Sequence, residues 1–172
     1  MRILKALAAV TVFVLLVSSS CFMAAASAEG AKQPLTVETT SYLLSAEWLP
    51  VGDEEGHVIG LQKRDGEVVF AGDENAKYLN IYTLDFRRGK GGSATGYSKF
   101  IFEDNSSILC SWTADIPVRN GMFSKQGQGT IVKGTGRFEN IAGTVTFTGR
   151  QVKSAAEDSR MIGATTYYLT LQ

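Results

Sequence analysis

Apolar and polar residues alternate one by one along most of this chain. Within 77–86, Tyr78, Asn80, Tyr82, Leu84 and Phe86 fall on one side, and Leu79, Ile81 and Thr83 on the other. That is the two-residue period of a strand. Runs of the same kind cover 35–48, 57–63, 67–71, 97–104, 107–115, 127–134, 143–153 and 161–171. No stripe with apolar residues at i, i+3, i+4 and i+7 follows Glu29, so little helix is expected. Glycines punctuate the runs, as turns between short strands require.

Two turns set the expected registers. Arg64-Asp65-Gly66 predicts a tight hairpin between 57–63 and 67–71, because an Asp-Gly pair accepts positive φ. Asn105-Ser106 predicts a two-residue turn between 97–104 and 107–115. In that register Phe100, Phe102, Leu109 and Ser111 share one face, and Tyr97, Lys99, Ile101, Ile108, Cys110 and Trp112 share the other. Both faces are then substantially apolar, which calls for a sheet closed on itself or stacked on another. The expected fold is all-β: an antiparallel, up-and-down, calycin-like barrel of eight or nine strands, whose closure removes exposed edges. Such a barrel has an interior just wide enough for side chains or one small ligand.

The first 28 residues read differently. Arg2 and Lys5 precede a charge-free stretch, 6–17, apolar but for Thr11, and Ala26-Ser27-Ala28 stands ahead of Glu29. This is the layout of a signal peptide cleaved after Ala28, and it is too short for the roughly 20 residues of a membrane-spanning helix. The expected product is an exported, periplasmic or extracellular domain, 29–172. A lipoprotein anchor through Cys21 fits poorly, because Ser18 occupies the position three residues upstream where a Leu-like residue is wanted. Cleavage leaves Cys110 as the sole thiol, so no disulfide framework or cysteine metal site is expected. It also changes 17 basic and 17 acidic groups to 15 and 17. A near-neutral domain lacks the basic face that phosphate contacts need, so no nucleic-acid partner is expected.

The segment 127–143, Gly-Gln-Gly-Thr-Ile-Val-Lys-Gly-Thr-Gly-Arg-Phe-Glu-Asn-Ile-Ala-Gly, resembles the strand, Gly-x-Gly-[Lys/Arg]-Phe turn, short helical turn and Gly-started strand of the allene oxide cyclase and dirigent barrel superfamily. Likeness to bacterial exported proteins of the allene oxide cyclase barrel-like group extends over 96–149. The resemblance implies an eight-stranded barrel closed at one end by the turn formed by Gly134, Gly136, Arg137, Phe138 and Gly143, and a homo-oligomer, commonly a trimer. It also implies cyclase chemistry dependent on an acid and a cysteine in the lumen. Neither stands on a matching motif here, and no role passes to Cys110.

No complete catalytic motif appears. His57 is the lone histidine, has no Gly-x-Ser-x-Gly partner, and reads as a residue at a loop-to-strand junction. The glycines at 127–136 lack the parallel strand and long helix of a dinucleotide site. The acids at 53–55, 73–74 and 103–104 read as solvated turns without calcium-loop spacing, and the basic run 87–92 as a hairpin loop. No metal or cofactor is expected. The lumen candidates are Tyr78, Tyr82, Lys99, Phe100, Phe102, Cys110, Trp112 and Phe147. Aromatic walls with a few polar groups suit a small apolar or amphipathic ligand. Binding, or a scaffold role, is the leading expectation. The rival is an enzyme that holds a reactive molecule in one conformation while it cyclises or couples.

Overall fold

The structure, a computed structural model, describes residues 33–70, 73–153 and 157–171. The expected signal segment, its cleavage point and Cys21 lie outside them. Among the described residues no helix is long and apolar enough to cross a membrane. The elements are β1 (Gln33–Pro50), β2 (His57–Phe70), β3 (Glu74–Arg87), β4 (Gly91–Phe102), β5 (Ser107–Ile116), the two-residue β6 (Val118–Arg119), β7 (Met122–Thr135), a 3-10 turn (Gly136–Phe138), β8 (Ile141–Gln151) and β9 (Met161–Leu171).

Every pairing is antiparallel. Strands β1 to β5 pair in sequence order, β5 pairs with β7, and β7, β8 and β9 follow. Strand β9 pairs back onto β1, with Val37 opposite Thr165 and Ser41 opposite Met161. The result is a closed ring of eight strands, with β6 outside it as a small flap on β7. Two bulges adjust the curvature. Leu44 is the extra residue where β1 passes β2, and Val132 is the extra residue where β7 passes β5. Both stand exposed, each beside a second exposed residue, Ser45 or Lys133, so the inward alternation resumes one position later.

Two turn expectations fail. Strand β2 runs unbroken through Asp65 and Gly66, which pair with Leu79 and Tyr78. Gly66 is needed for close approach, since a Cβ there would lie 1.9 Å from the Thr40 carbonyl oxygen. The turn at Asn105 is also longer than expected. Phe102 donates its amide to Ser106 O, the Asp104 carboxylate accepts from Ser106, and Ile101 is the last residue paired, with Ser107. Phe100 therefore faces Ile108 rather than Ser111. An odd displacement exchanges the faces of one strand relative to the other. Ser98, Phe100 and Phe102 thus point inward with Ile108, Cys110 and Trp112, while Tyr97 and Lys99 stand on the outer wall.

One end of the barrel is solid. Val37, Val68, Phe70, Phe100, Phe102, Ile108 and Tyr167 pack there with Ile141, and the 3-10 turn lays Phe138 against Phe102 at 4.7 Å between ring centroids. Arg137 covers both rings at 4.9 and 4.7 Å and pairs with Glu74 and Asp104. Gly136 holds φ at +62° and a Cβ on Gly134 would lie 1.8 Å from the Phe138 carbonyl oxygen, so this reversal needs both glycines. Gly143 lies close to β9, where a Cβ would come 2.3 Å from Tyr168 O. The other end, the rim, carries Leu84, Ala94, Ala114 and Ile116 on its wall.

Candidate functional site

Between the solid end and the rim the interior turns polar. Gln62 and Arg64 of β2, Asn80 of β3, Ser98 of β4, Lys125 of β7 and Thr165 of β9 are all buried. They form one belt because the registers align them: Arg64 is opposite Asn80, Asn80 opposite Ser98, and Ser98 opposite Cys110. Burying polar groups costs free energy unless they bond to one another, and most do. Tyr82 OH donates to Gln62 Oε1 at 2.5 Å, Trp112 Nε1 to Ser98 Oγ at 3.0 Å, and Ser98 Oγ to Asn80 Oδ1 at 3.4 Å. Arg64 donates from Nε to Ser41 Oγ and from Nη2 to Ser41 O, at 3.3 and 3.1 Å, and also to Ser159 O.

Lys125 is the charged member of the belt without such a bond. It is 6 % exposed, and among the described residues neither a hydrogen-bond acceptor nor a carboxylate meets its Nζ. The nitrogen lies 3.3 Å from the Tyr82 ring centroid and 5.3 Å from that of Trp112. A desolvated cation over an aromatic face gains about 2 kcal/mol, whereas burying an ion without a counter-charge costs several. Burial wins. It holds the Lys125 amine well below its ordinary 10.5, and the Arg64 charge lowers it further. Burial also raises the other titratable groups around the belt: Tyr82 to about 12, Cys110 to about 12, and Tyr78 and Tyr167 above their ordinary 10.0.

Two spaces adjoin the belt. A central cavity of about 60 Å³ is lined by Arg64, Tyr78, Asn80, Cys110, Lys125 and their neighbours. Toward the rim, a chamber of about 270 Å³ is walled by Leu43, Trp48, Leu84, Phe86, Ile116 and Phe123. Arg64 and Met161 line both spaces. The outer wall has wider hollows edged by exposed residues such as Thr83, Thr113 and Gln128. Those are open to water and present no buried charge; a further outer hollow reaches Lys125 between Thr39, Ser124 and Arg150, but Arg64 and Lys125 meet in the interior, which is the candidate site.

Of the residues expected from the sequence, Tyr78, Phe100, Cys110, Trp112 and Phe147 line the central cavity. Tyr82 lies under Lys125, and Phe102 packs in the solid end. Lys99 is displaced from the lumen: it is exposed opposite Leu109, because the register differs from the one that put it beside Cys110 and Trp112. Sequence reasoning missed Arg64, placed in a turn, and Lys125. For Arg64 a signal existed: Gly60, Gln62, Arg64, Gly66, Val68 and Phe70 keep one parity through the supposed turn. Lys125 gave none, since 124–128 reads as polar on both sides.

The rim carries a second cluster. His57 is 5 % exposed, with Nδ1 2.5 Å from Asp53 Oδ1 and Nε2 2.9 Å from Asp85 Oδ1. The Asp85 bond, and then the Asp53 bond, raise its pKa above the ordinary 6.5. Glu54 pairs with Arg87 and Lys90, so the basic loop is neutralised by the acids expected to be solvated. Asp53, Glu54 and His57 bring ligand atoms within 4.8 Å of one another. Both imidazole nitrogens and Glu54 are already engaged, so the cluster serves to pin the loop that enters β2.

No family model matches this sequence, and no curated protein matches it. Among solved structures, a conserved protein of unknown function from Rhodopseudomonas palustris is similar at 11 % identity and a TM-score of 0.51, over 80 % of this chain and 97 % of that one. The dirigent protein pterocarpan synthase is similar at 15 % identity and a TM-score of 0.45, over 80 % of this chain and 88 % of that one. At 11 % identity the likeness to the Rhodopseudomonas palustris protein is one of fold.

Proposed function

We propose that the protein is an exported barrel that binds a small apolar or amphipathic molecule in its rim chamber, with the polar belt reading the molecule's inner end. One observation carries this: an apolar chamber of about 270 Å³ ends on the buried Arg64 and Gln62. Specific pockets combine apolar walls with a few placed polar groups in this way. Binding is tested by titrating the purified protein with a neutral naphthylamine dye. Saturable fluorescence enhancement is expected, and its loss in Leu43→Trp, which fills the chamber, places the dye there. Equal enhancement in both proteins refutes the reading.

A second reading, an allene oxide cyclase-like or dirigent-like enzyme, draws support from Lys125, an ionisable group on the central cavity. It requires turnover that Lys125→Met abolishes while dye binding survives. Export predicts a mature N-terminus at Glu29, to be read by sequencing the protein from its host. Assembly into trimers would cover exposed Ile59, Leu61, Ile81 and Tyr97, and sedimentation gives the oligomer directly.

A further inference from the structure

The buried charges of this barrel do not balance. Arg64 and Lys125 are 3 % and 6 % exposed, and no carboxylate is buried among the described residues. Of the strand acids, Glu38, Glu47, Asp65, Glu67 and Asp115 are exposed, while the half-buried Glu74 and Asp85 pair with Arg137 and His57. Among the described residues Arg64 bonds to neutral oxygens, those of Ser41 and Ser159 and the Tyr82 hydroxyl. Lys125 has aromatic faces beneath it and no acceptor among the described residues. A charge on Lys125 beside that of Arg64 would be repelled in a medium of low dielectric constant, and an anion between the two relieves that repulsion.

We propose that the barrel takes a small organic monoanion, a carboxylate on a compact apolar body, whose headgroup enters the cavity shared by Arg64 and Lys125 while its body fills the rim chamber, and that its entry brings one proton onto Lys125. The inference rests on the ligand-binding reading above and names the ligand's class. Geometry supports a head-and-tail arrangement. The central cavity, about 60 Å³, is room for a few heavy atoms. The chamber it meets at Arg64 and Met161 is walled by Leu43, Leu84, Phe86, Ile116 and Phe123, which suits hydrocarbon and not a hydrated inorganic ion. Guanidinium and ammonium donors form charge-assisted hydrogen bonds to a carboxylate that are about twice as strong as neutral ones.

The proton follows from the burial of the Lys125 amine. Burial and the Arg64 charge favour the neutral amine. A carboxylate beside it reverses that preference, since an opposite charge within a few ångströms favours the ammonium. The other titratable groups on the cavity are Tyr78 of β3, Cys110 of β5 and Tyr167 of β9, with Tyr82 of β3 beneath Lys125. All have raised pKa values, so they remain protonated and neutral. The balance is then RCOO⁻ plus R′NH₂ plus H⁺ from water giving the RCOO⁻ and R′NH₃⁺ pair, with no other group changing charge.

The test is calorimetric titration of the full chain at pH 7.5 with hexanoate, hexanol and formate, each in two buffers of different ionisation enthalpy. Hexanoate is expected to bind at least tenfold tighter than either hexanol or formate, with net proton uptake. Lys125→Met should abolish the uptake, and Arg64→Lys, which keeps a charge if Arg64→Met fails to fold, should weaken hexanoate and leave hexanol unchanged. Hexanol binding as tightly as hexanoate overturns this inference and leaves the broader binding proposal standing. Hexanoate binding without proton uptake, or with the same uptake in Lys125→Met, also overturns it. If neither hexanoate nor hexanol binds, both readings fall.

Discussion

Replacing Lys125 by Met should change how stability depends on pH, with a slope fixed by proton counting. The folded protein holds the Lys125 amine well below its ordinary 10.5. Between the folded and unfolded pKa values the unfolded chain therefore binds one proton more at this site. Stability rises with pH wherever the unfolded state binds more protons, by about 1.4 kcal/mol per pH unit for one proton. The Lys125 penalty is complete below the folded pKa and vanishes above about 10.5. Cys110 and Tyr82, each pushed up to about 12, act in the opposite sense. They keep protons that the unfolded chain loses above its ordinary values of 9.0 and 10.0, and so lower stability in alkali. The clean window lies below pH 9.0, before the Cys110 thiol of the unfolded chain loses its proton. Methionine is near lysine in shape and carries no charge, so the variant should be the more stable protein at neutral pH, with an advantage that shrinks as pH rises toward 10.5, by at most about 1.4 kcal/mol per pH unit. Urea denaturation of both proteins at four pH values in that window, followed by circular dichroism, measures it. Other titrating groups are common to both and cancel. Parallel stability curves would refute the account of Lys125 as an amine that is neutral when folded.

Three further outcomes are expected. Gly136→Val should cost about 1 to 3 kcal/mol, because φ of +62° strains a β-branched residue and the new Cβ would lie 2.9 Å from that of Ser106; an unchanged melting temperature in calorimetry would remove the proposed turn from the list of fold determinants. The Cys110 thiol, 2 % exposed and raised to about 12 by burial, should resist a disulfide reagent at pH 8 until urea unfolds the chain, so rapid labelling of native protein contradicts its placement. His57 should titrate above 6.5 by NMR. Its contribution to stability is then complete below 6.5 and lost as pH rises through the folded value, and Asp85→Asn should bring the midpoint down; a midpoint at or below 6.5 in the wild type would exclude the two-carboxylate clasp.

Strand identity was legible because alternation survives wherever one face is buried, as in Lys77 to Phe86. Closure was legible because aromatic and aliphatic residues crowd both sides of several strands and no helix is available to cover them. Turn geometry was harder to read. Asp65-Gly66 has the composition of a tight reversal, yet Gly66 serves to let Thr40 O approach, and composition does not distinguish these uses. At Asn105, with φ of +64°, a longer loop shifted the register and exchanged faces, so the lysine assigned to the interior was Lys99 when the buried one is Lys125. A polar residue inside a barrel is identified by what its neighbours leave unpaired, and that information exists only once the ring has closed.

The packed floor and the hollow rim give the molecule a direction. A beaker admits and releases its contents from above, so solvent exchange should be slowest for the amides of Phe100, Ile108 and Val145 and fastest near Leu43 and Phe123. Under the proposed ligand-binding role, variation among the connecting segments at the mouth would retune what is held, without loosening the base on which the vessel stands.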